Sequence, residues 1–533
     1  MKSLITKDFG VTNAKNFEKM ISNPLANVYL MVGHSLPWNG TDAVIEDPYD
    51  TTEYKNNIFK QGQLLKKITS SDVQPVIPRV DWGSGNVYVA YDQTANLFVK
   101  SAATALTGGN VNVAVGSSNV AANGINLASA TYSISGGTLI RANNITKEVV
   151  SVNAAGDFLT VNTSFNSTAT SQTIFKIETS SVQYLNKFYV RNSFDQVFKC
   201  MYNNSDATST VMPEITLGGE LPENPYIQTS DGYYWKYMYT IPSGLKNKFF
   251  TDKYMPVIKD QIVYDSATNG RLDVIQIIDG GTGYYAGSSV NNYSIVTVSG
   301  DGTGANVTVD VSYGVINNIH ILDGGSGYST ATITVDDPLQ QSTGNTANIR
   351  AVISPQYGHG YDAVRELGAS DLMVSVDLVG DAGGNLPVVA GGGDSIRQAC
   401  LVKDIKTANL AQFGTSTYYT MYTQVYTTNP PADFTINERV YVGDSYETAT
   451  FSATIMHVDS TNNILLLNQI SGDSDITTKQ LRQKDAPSVY ATALTVTEPS
   501  INILSGEILY VENRDKIIRS PYQTETIKLV VEF

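Results

Sequence analysis

Cysteine, charged residues and long apolar runs are all scarce in this chain of 533 residues. Two cysteines, Cys200 and Cys400, are too few to cross-link a secreted scaffold of this length, so we expect both to be reduced and buried. No apolar run approaches the roughly 18 residues that a membrane-spanning helix needs. The first ten residues also lack the apolar core of a signal peptide. These absences predict a soluble protein, made in the cytoplasm, that has no membrane partner.

Charged residues make up only 16% of the chain, and acidic residues outnumber basic ones to give a formal net charge of -15. No cluster of lysine and arginine offers a local basic patch. A phosphate backbone would therefore be repelled, and we expect no nucleic-acid partner.

Sequence signatures of catalysis and of cofactor binding are also missing. The four histidines are dispersed, with no second ligand at metal-binding spacing, which predicts no metal site. The glycine-rich turns precede no amphipathic helix and no Gly-Lys-Ser/Thr motif, so no nucleotide cofactor is expected. Paired carboxylates for glycoside cleavage cannot be read from sequence, because the fold sets their spacing. We therefore predict a protein that is not an enzyme and keep a glycan-binding or glycan-cleaving protein as the alternative.

Most of the chain consists of short β-branched or aromatic segments interrupted by Gly, Asn, Asp or Pro about every ten residues, which is typical of antiparallel sheets. Helical spacing of apolar residues predicts helices at 13–22 and 51–68 and a short one at 362–367. The predicted fold is mainly β and multidomain, with antiparallel β-sandwich or barrel-like modules and a few short helices.

Two internal repeats organise the chain. LDVIQIIDGGTGYY at 272–285 returns as INNIHILDGGSGYS at 316–329, a shift of 44 residues, and each copy precedes a strand that contains Ala-Asn-Val or Ala-Asn-Ile. Glycine should supply positive φ in these turns, with the tyrosine packed over them. VVSVNAAGDFLTVN at 149–162 aligns without gaps on IMHVDSTNNILLLN at 455–468, which predicts one hairpin used twice.

These patterns divide the chain into core segments and inserted modules. The core segments are predicted at 1–100, 181–263, 357–400 and 501–533. The inserted β modules are predicted at 101–180, 264–356 (the two-copy repeat) and 401–500.

The stretch VIPRVDWG at 76–83 puts Arg79 and Asp81 on one face of an extended chain, where each could pair with groups from elsewhere. Trp82 points to the opposite face and is expected to anchor the segment in the core, while Pro78 and Gly83 fix its ends. No base or nucleophile is nearby, so a structural corner is favoured over a catalytic site.

A second aromatic segment, DGYYWKYMYTIP at 231–242, begins with a turn at Asp231 and Gly232 and continues as a strand. Tyr233, Trp235, Tyr237 and Tyr239 lie on one face of it. Such a stripe is more commonly a sandwich core or a subunit interface than a stacking platform for sugars.

At these segments the sequence resembles the baseplate wedge subunit of T-even-like contractile-tailed bacteriophages, the dimeric component of the outer wedge. The resemblance rests on four segments that keep the family's order: VYLMVGHSLPW (28–38), VIPRVDWG (76–83), DGYYWKYMYTIP (231–242) and SGEILYVENRDKIIRSPYQTETIKLVVEF (505–533). HGYDAVRELGA (359–369) resembles the longer members of the family. The three inserted modules are shorter or absent in the compact members of the family.

The resemblance implies a non-enzymatic virion protein in the tail baseplate, assembled in the host cytoplasm. It implies a homodimer that joins neighbouring wedge subunits and helps to connect the baseplate to fibre-attachment proteins. It supplies no catalytic, cofactor or metal residues. The positions that match its motifs are carried over as structural positions only: Arg79, Asp81, Trp82, Gly83, Asp231, Gly232, Trp235, Glu512, Asn513 and Arg514.

Overall fold

The computed structural model describes residues 7–23, 27–91, 103–132, 134, 138–142, 145–161, 165, 168–177, 188–204, 207–216, 226–285, 289–336, 344–379, 395–406, 418–499, 501–518 and 524–533. The fold is mainly β, with several antiparallel sheets and few short helices, as predicted. Cys200 and Cys400 are free and buried, which confirms that prediction.

The helices are short. Five α-helices form among the described residues: α1 (Lys7–Ser22), α2 (Thr52–Lys60), α3 (Ser243–Phe249), α4 (Gln261–Asp265) and α5 (Ala363–Glu366). Two 3₁₀ turns lie at Trp38–Gly40 and Ser70–Asp72. The predicted helices at 13–22 and 362–367 are thus present with shifted ends.

The strands of the first half of the chain are β1 (Val28–Gly33), β2 (Gly62–Lys67), β3 (Val73–Pro78), β4 (Ala103–Ala105), β5 (Asn110–Val113), β6 (Asn119–Asn123), β7 (Leu139–Ala142), β8 (Ile145–Val152), β9 (Phe158–Val161), β10 (Ala169–Gln172), β11 (Phe175–Ile177), β12 (Tyr189–Arg191), β13 (Gln196–Tyr202), β14 (Tyr226–Gln228), β15 (Tyr234–Thr240) and β16 (Tyr254–Pro256).

The strands of the second half are β17 (Leu272–Asp279), β18 (Ser289–Tyr293), β19 (Val296–Gly300), β20 (Thr303–Ser312), β21 (Val315–Ser326), β22 (Ala331–Val335), β23 (Asn348–Ile353), β24 (Asp371–Val379), β25 (Ser395–Lys403), β26 (Tyr418–Thr420), β27 (Thr423–Thr427), β28 (Arg439–Val442), β29 (Phe451–Asp459), β30 (Ile464–Gly472), β31 (Gln480–Gln483), β32 (Ala486–Thr497), β33 (Glu507–Ile518) and β34 (Thr524–Glu532).

The chain forms two compact units, and the first comprises Met1–Ile77, Ser243–Val257 and Ala369–Phe533. It contains a five-stranded sheet (β26-β2-β1-β25-β33), a four-stranded sheet (β16-β3-β24-β34) and a closed barrel (β27-β30-β29-β28-β31-β32). Leu30 and Leu401 of the five-stranded sheet share one buried cluster with Leu372 and Leu529 of the four-stranded sheet. The core of this unit therefore lies between the two sheets, and the barrel has an apolar interior of its own.

The second unit comprises Pro78–Pro242 and Ile258–Gly368. Its larger sheets have the orders β10-β5-β6-β9-β8-β7-β11-β4 and β12-β13-β15-β14, and the repeat region forms the small sheets β17-β23, β18-β20-β21 and β19-β22. Phe198 and Trp235 bury one face of the four-stranded sheet. On its other face Met201 clusters with Val274 and Val352 of the repeat region.

One predicted helix is partly wrong. Residues 52–60 are helical and capped by the Thr51 hydroxyl, which accepts a hydrogen bond from the Tyr54 N–H, but Gly62–Lys67 is a strand. The four residues from Gly62 to Leu65 are all buried, and a strand between two neighbours can bury consecutive residues on both faces, which a surface helix cannot. Strand β2 pairs with β1 on one side and with β26 on the other. This pairing stabilises a strand here, although the spacing of the apolar residues alone predicts a helix.

The two copies of the 44-residue repeat exchange strands. β17 of the first copy pairs with β23, which follows the second copy, and Ile277 faces Ile349. β21 of the second copy pairs with β20, which follows the first copy, and the equivalent Ile321 faces Val307. The repeat therefore forms one interlocked pseudo-symmetric module rather than two successive hairpins.

The glycine turns of this module also match. Gly281 and Gly325 have φ of +63° and +61°, as predicted for the turn glycines. A Cβ atom on Gly281 would lie 2.5 Å from the Asn345 carbonyl oxygen, and one on Gly325 would lie 2.4 Å from that of Thr303. The buried tyrosines Tyr284 and Tyr328 follow each turn, so the predicted packing of tyrosine at the turns is confirmed.

The repeated hairpin is confirmed in register. Val149 faces Val161 in β8–β9, and the equivalent Ile455 faces Leu467 in β29–β30. Each hairpin has a register shift at the same point, between Val149 and Ser151 in one copy and between Ile455 and His457 in the other. The first copy belongs to the eight-stranded sheet and the second to the barrel.

Candidate functional site

The segments that carry the family resemblance gather in two places, one in each unit. In the first unit, the stretch after β1 forms an irregular loop, residues 34–50, called here the anchored loop. His34, Asn39 and Asp42 all have positive φ, of 62°, 47° and 59°. This conformation is costly for residues with a side chain, and it persists only where surrounding contacts enforce it.

An arginine and a tryptophan supply those contacts. Arg397, on β25, has both its Nε and Nη2 donating to the Asp42 carboxylate, at 2.7 and 2.6 Å. The Trp38 N–H donates to Asp42 Oδ1 over 2.9 Å, and the Trp38 Nε1 donates to the Arg514 carbonyl over 3.0 Å. The His34 ring stacks on Trp38 at 3.8 Å. Forked charge-assisted bonds of this kind fix both position and orientation.

The C-terminal motif holds the far end of the same loop. Asn513, on β33, donates from Nδ2 to the Glu46 carbonyl over 2.6 Å and to the Tyr54 hydroxyl over 2.8 Å. Glu512 and Arg514 form an ion pair at 3.3 Å. Of the predicted positions Glu512, Asn513 and Arg514, the structure thus places two in direct contact with the anchored loop.

In the second unit, the Arg79–Asp81 stretch forms an ion-pair chain. Asp81 accepts from Arg79 Nε at 2.8 Å and from Arg191 Nε at 2.7 Å, and Arg191 continues to Asp195 at 2.5 Å. Burial alone would raise the pKa of Asp81, but the two arginines lower it below its usual value. Arg79 therefore pairs with Asp81 of its own stretch, and Asp81 links that stretch to Arg191 on β12.

Trp82 lies beside this chain of ion pairs and is half-buried at the edge of an apolar cluster. Its Nε1 donates to the Ser209 hydroxyl over 3.1 Å. Ser209 in turn donates to the Asp231 carboxylate over 3.2 Å, so two of the motif segments meet through one serine. Gly83 lies close to Asn86, whose Nδ2 would be 2.8 Å from an added Cβ.

Asp231 organises the turn before β15. Its Oδ2 accepts from the backbone N–H groups of Thr210 and Val211 at 2.7 and 2.9 Å, and its Oδ1 accepts from the Thr229 hydroxyl. Burial alone would raise its pKa, but these hydrogen bonds lower it. Gly232 has φ of +85° and approaches Asn204 too closely for a Cβ atom.

The aromatic stripe on β15 belongs to the core. Trp235 is fully buried, stacks on Tyr233 at 5.4 Å and meets Tyr88 edge-on at 5.5 Å. Tyr237 and Tyr239 are buried as well. The sugar-platform interpretation of this stripe is wrong, because its rings are not exposed.

The opposite face of the same sheet holds a group that sequence analysis missed. Lys199 on β13 and Lys236 on β15 are direct cross-strand neighbours, and both are buried. The Lys199 ammonium donates to Glu366 on α5 and lies 2.5 Å from His359 Nδ1. We call Lys199, His359 and Glu366 the buried triad. Glu366 Oε1 also accepts from the Gly360 N–H over 2.5 Å.

Burial and mutual charge set the protonation of the triad. Burial lowers the pKa of His359 to about 4, with a further contribution from the Lys199 ammonium, so the imidazole is neutral at pH 7. Burial alone would raise the pKa of Glu366, but Lys199 lowers it to about 2. The arrangement is a neutral imidazole beside a buried ion pair. Only Glu366 within HGYDAVRELGA could have signalled it, since a charged residue on an otherwise apolar helix face needs a buried partner.

The second unit has a cleft of about 370 Å³ whose lining includes Tyr226, Tyr234, Arg271 and His320. Arg271 pairs with Asp273 at 3.1 Å, and His320 Nε2 lies 2.7 Å from Asp310. Tyr226 and Tyr234 bring hydroxyls to its lining, and Thr308 is the cross-strand neighbour of His320. The cleft could hold a small polar molecule.

Among the described residues, no group of three or more His, Cys, Asp and Glu side chains could hold a metal ion. In the same part of the chain, no helix combines the length and apolar character required to cross a membrane. The polar clusters described above connect segments that are distant in sequence.

Comparison with known families adds a more specific similarity. Residues 3–116 match the sequence model of a family described as Phage-Gp8: Bacteriophage T4, Gp8. The match includes β1, the residues of the anchored loop and the Arg79–Asp81 stretch, and it supports a T4-like baseplate wedge protein. No curated protein matches the chain.

Proposed function

We propose that this chain is a structural, non-enzymatic wedge subunit in the baseplate of a contractile phage tail. The family match over residues 3–116 carries the proposal. The contacts of the anchored loop support it, because matched residues such as Trp38 and Asp42 are held by Arg397 and Arg514, which lie far outside the matched region. Arg514 belongs to the C-terminal segment that resembles the family, so this segment packs against the matched residues within the first unit.

We further propose that the chain is a homodimer and that it joins neighbouring wedge subunits and helps to connect them to fibre-attachment proteins. Twice as many tyrosines as phenylalanines, 32 against 16, together with low charge, suit extensive protein contacts. Sedimentation of the isolated chain at micromolar concentration should give a dimer. A chain that stays monomeric when concentrated would contradict this part of the proposal.

Placement in the baseplate is tested separately. Tails purified from the phage that encodes this chain should contain it in a fixed ratio to the other baseplate proteins, measured by mass spectrometry, and an image reconstruction should show it in the wedge. Its absence from purified tails would refute the proposed function. A glycan array run on the same purified chain tests the glycan-binding alternative, which predicts saturable binding that the structural role does not need.

A further inference from the structure

The anchored loop presents an exposed acidic and apolar segment, AVIEDPYD at residues 43–50, called here the docking segment. Val44, Ile45 and Tyr49 have 68%, 38% and 60% of their surfaces exposed. Single exposed apolar residues are common, but three within six residues form a local patch.

The charge of the docking segment has one sign. It contains Glu46, Asp47 and Asp50 and no basic residue. Asp50 pairs with Lys55 at 2.5 Å, which leaves Glu46 and Asp47 to dominate the local charge. The whole chain is acidic as well, with a net charge of -15. A partner that covers the segment must therefore bring basic groups, because like charges across an interface oppose binding.

The segment is held in place from both sides. Before it, Arg397 donates two hydrogen bonds to the Asp42 carboxylate. Within it, the Glu46 carbonyl accepts from Asn513, and after it the Tyr49 ring packs edge-on against Tyr54 at 5.5 Å. A segment fixed before binding loses little conformational entropy on association, so exposed apolar side chains on it can act as anchors for a partner.

We propose that the docking segment binds a basic surface of another baseplate protein, with Val44, Ile45 and Tyr49 filling an apolar depression and Glu46 and Asp47 pairing with lysine or arginine at its rim. Three features of these eight residues support the proposal. Val44, Ile45 and Tyr49 are exposed, the charged side chains are all acidic, and contacts with Asn513 and Tyr54 hold the segment in place. This inference rests on the proposed baseplate function.

A photocrosslinking amino acid in place of Val44, in virions that carry this substitution, tests the contact directly. We expect a crosslink to a lysine- or arginine-rich peptide of a different baseplate protein, identified by mass spectrometry. A crosslink to a second copy of this chain, or particles that assemble without any crosslink, would overturn the inference. Absence of even the unmodified chain from tails would refute the proposed function instead, so the two failures are distinguishable.

The crosslinked protein then serves as the probe for affinity. The double variant Glu46→Lys, Asp47→Lys should weaken its binding at least about tenfold and flatten its salt dependence, as expected for a charged interface. The matched control is Asp473→Lys, Asp475→Lys, which makes the same charge change at exposed positions elsewhere in the first unit. Equal affinities for the two double variants would refute the assigned charge pairing.

Discussion

Replacing Glu366 by Gln should destabilise the second unit strongly, because the substitution leaves the Lys199 ammonium buried without its counter-charge. The side chains of Lys199 and Glu366 are 0% and 4% exposed, so solvent cannot compensate. Removing one partner of a buried ion pair typically costs about 3–5 kcal/mol. Glu366 also accepts the Gly360 N–H, and a glutamine oxygen can keep that bond, so the loss should come from the charge.

The double variant Lys199→Met, Glu366→Gln, which combines the two single substitutions and keeps an acceptor for the Gly360 N–H, is the informative control. It removes both charges at similar volume, and such replacements are often neutral or stabilising. We therefore expect the double variant to be more stable than either Glu366→Gln or Lys199→Met alone, with a coupling energy of about 1–3 kcal/mol.

Urea unfolding followed by tryptophan fluorescence measures these differences. The chain has three tryptophans, and a Trp38→Phe background leaves Trp82 and Trp235, both in the second unit, as reporters. Several cooperative transitions are expected in a chain of this size, and this background isolates the relevant one. If both single variants and the double variant unfold at the same urea concentration, the pair is not coupled and the argument from burial is wrong.

Three further predictions concern the second unit. Trp235→Ala should lower the free energy of unfolding by about 3–5 kcal/mol and Trp82→Ala by clearly less, because of the two only Trp235 is fully buried. The urea midpoints of the two variants test this difference. The pKa of His359 lies near 4 in the folded chain, below its ordinary value of 6.5. Stability should therefore fall as the pH drops from 6.5 to 4, by up to about 3 kcal/mol, and His359→Gln should remove that part of the pH dependence. Excised residues 264–356 should fold alone, and the remaining chain should melt at lower temperature because Met201 loses its apolar partners; circular dichroism of both pieces tests this.

Local patterns in the sequence predicted the strand-rich fold, the turn glycines and the repeated hairpin. These features depend on neighbouring residues: Val149 and Val161 are close in the chain, and a hairpin fixes their register. The exchange of strands between the two repeat copies could not be predicted in this way. Ile277 pairs with Ile349 across a long stretch of chain, and local periodicity carries no information about that choice.

Local sequence patterns also predict polar contacts only in part. Spacing placed Arg79 and Asp81 on one face as partners for groups from elsewhere; Asp81 does bind Arg191, but Arg79 and Asp81 also bind each other. Lys199 and Glu366 come from distant segments, and the neighbours of each in sequence do not show that the two side chains meet. Their significance depends on burial, which is a property of the assembled sheet and helix.

The ends of the three predicted inserted modules share one geometric feature. Ala103 faces Ile177 at the ends of the first, Leu272 faces Ile353 at the ends of the second, and Lys403 faces Glu507 on the strands that flank the third. Because each predicted module begins and ends near two paired antiparallel strands, its ends are already one strand spacing apart, and a longer or shorter module costs little loop entropy. We propose that this geometry lets the segments with the family resemblance keep their mutual contacts whatever the length of the chain between them.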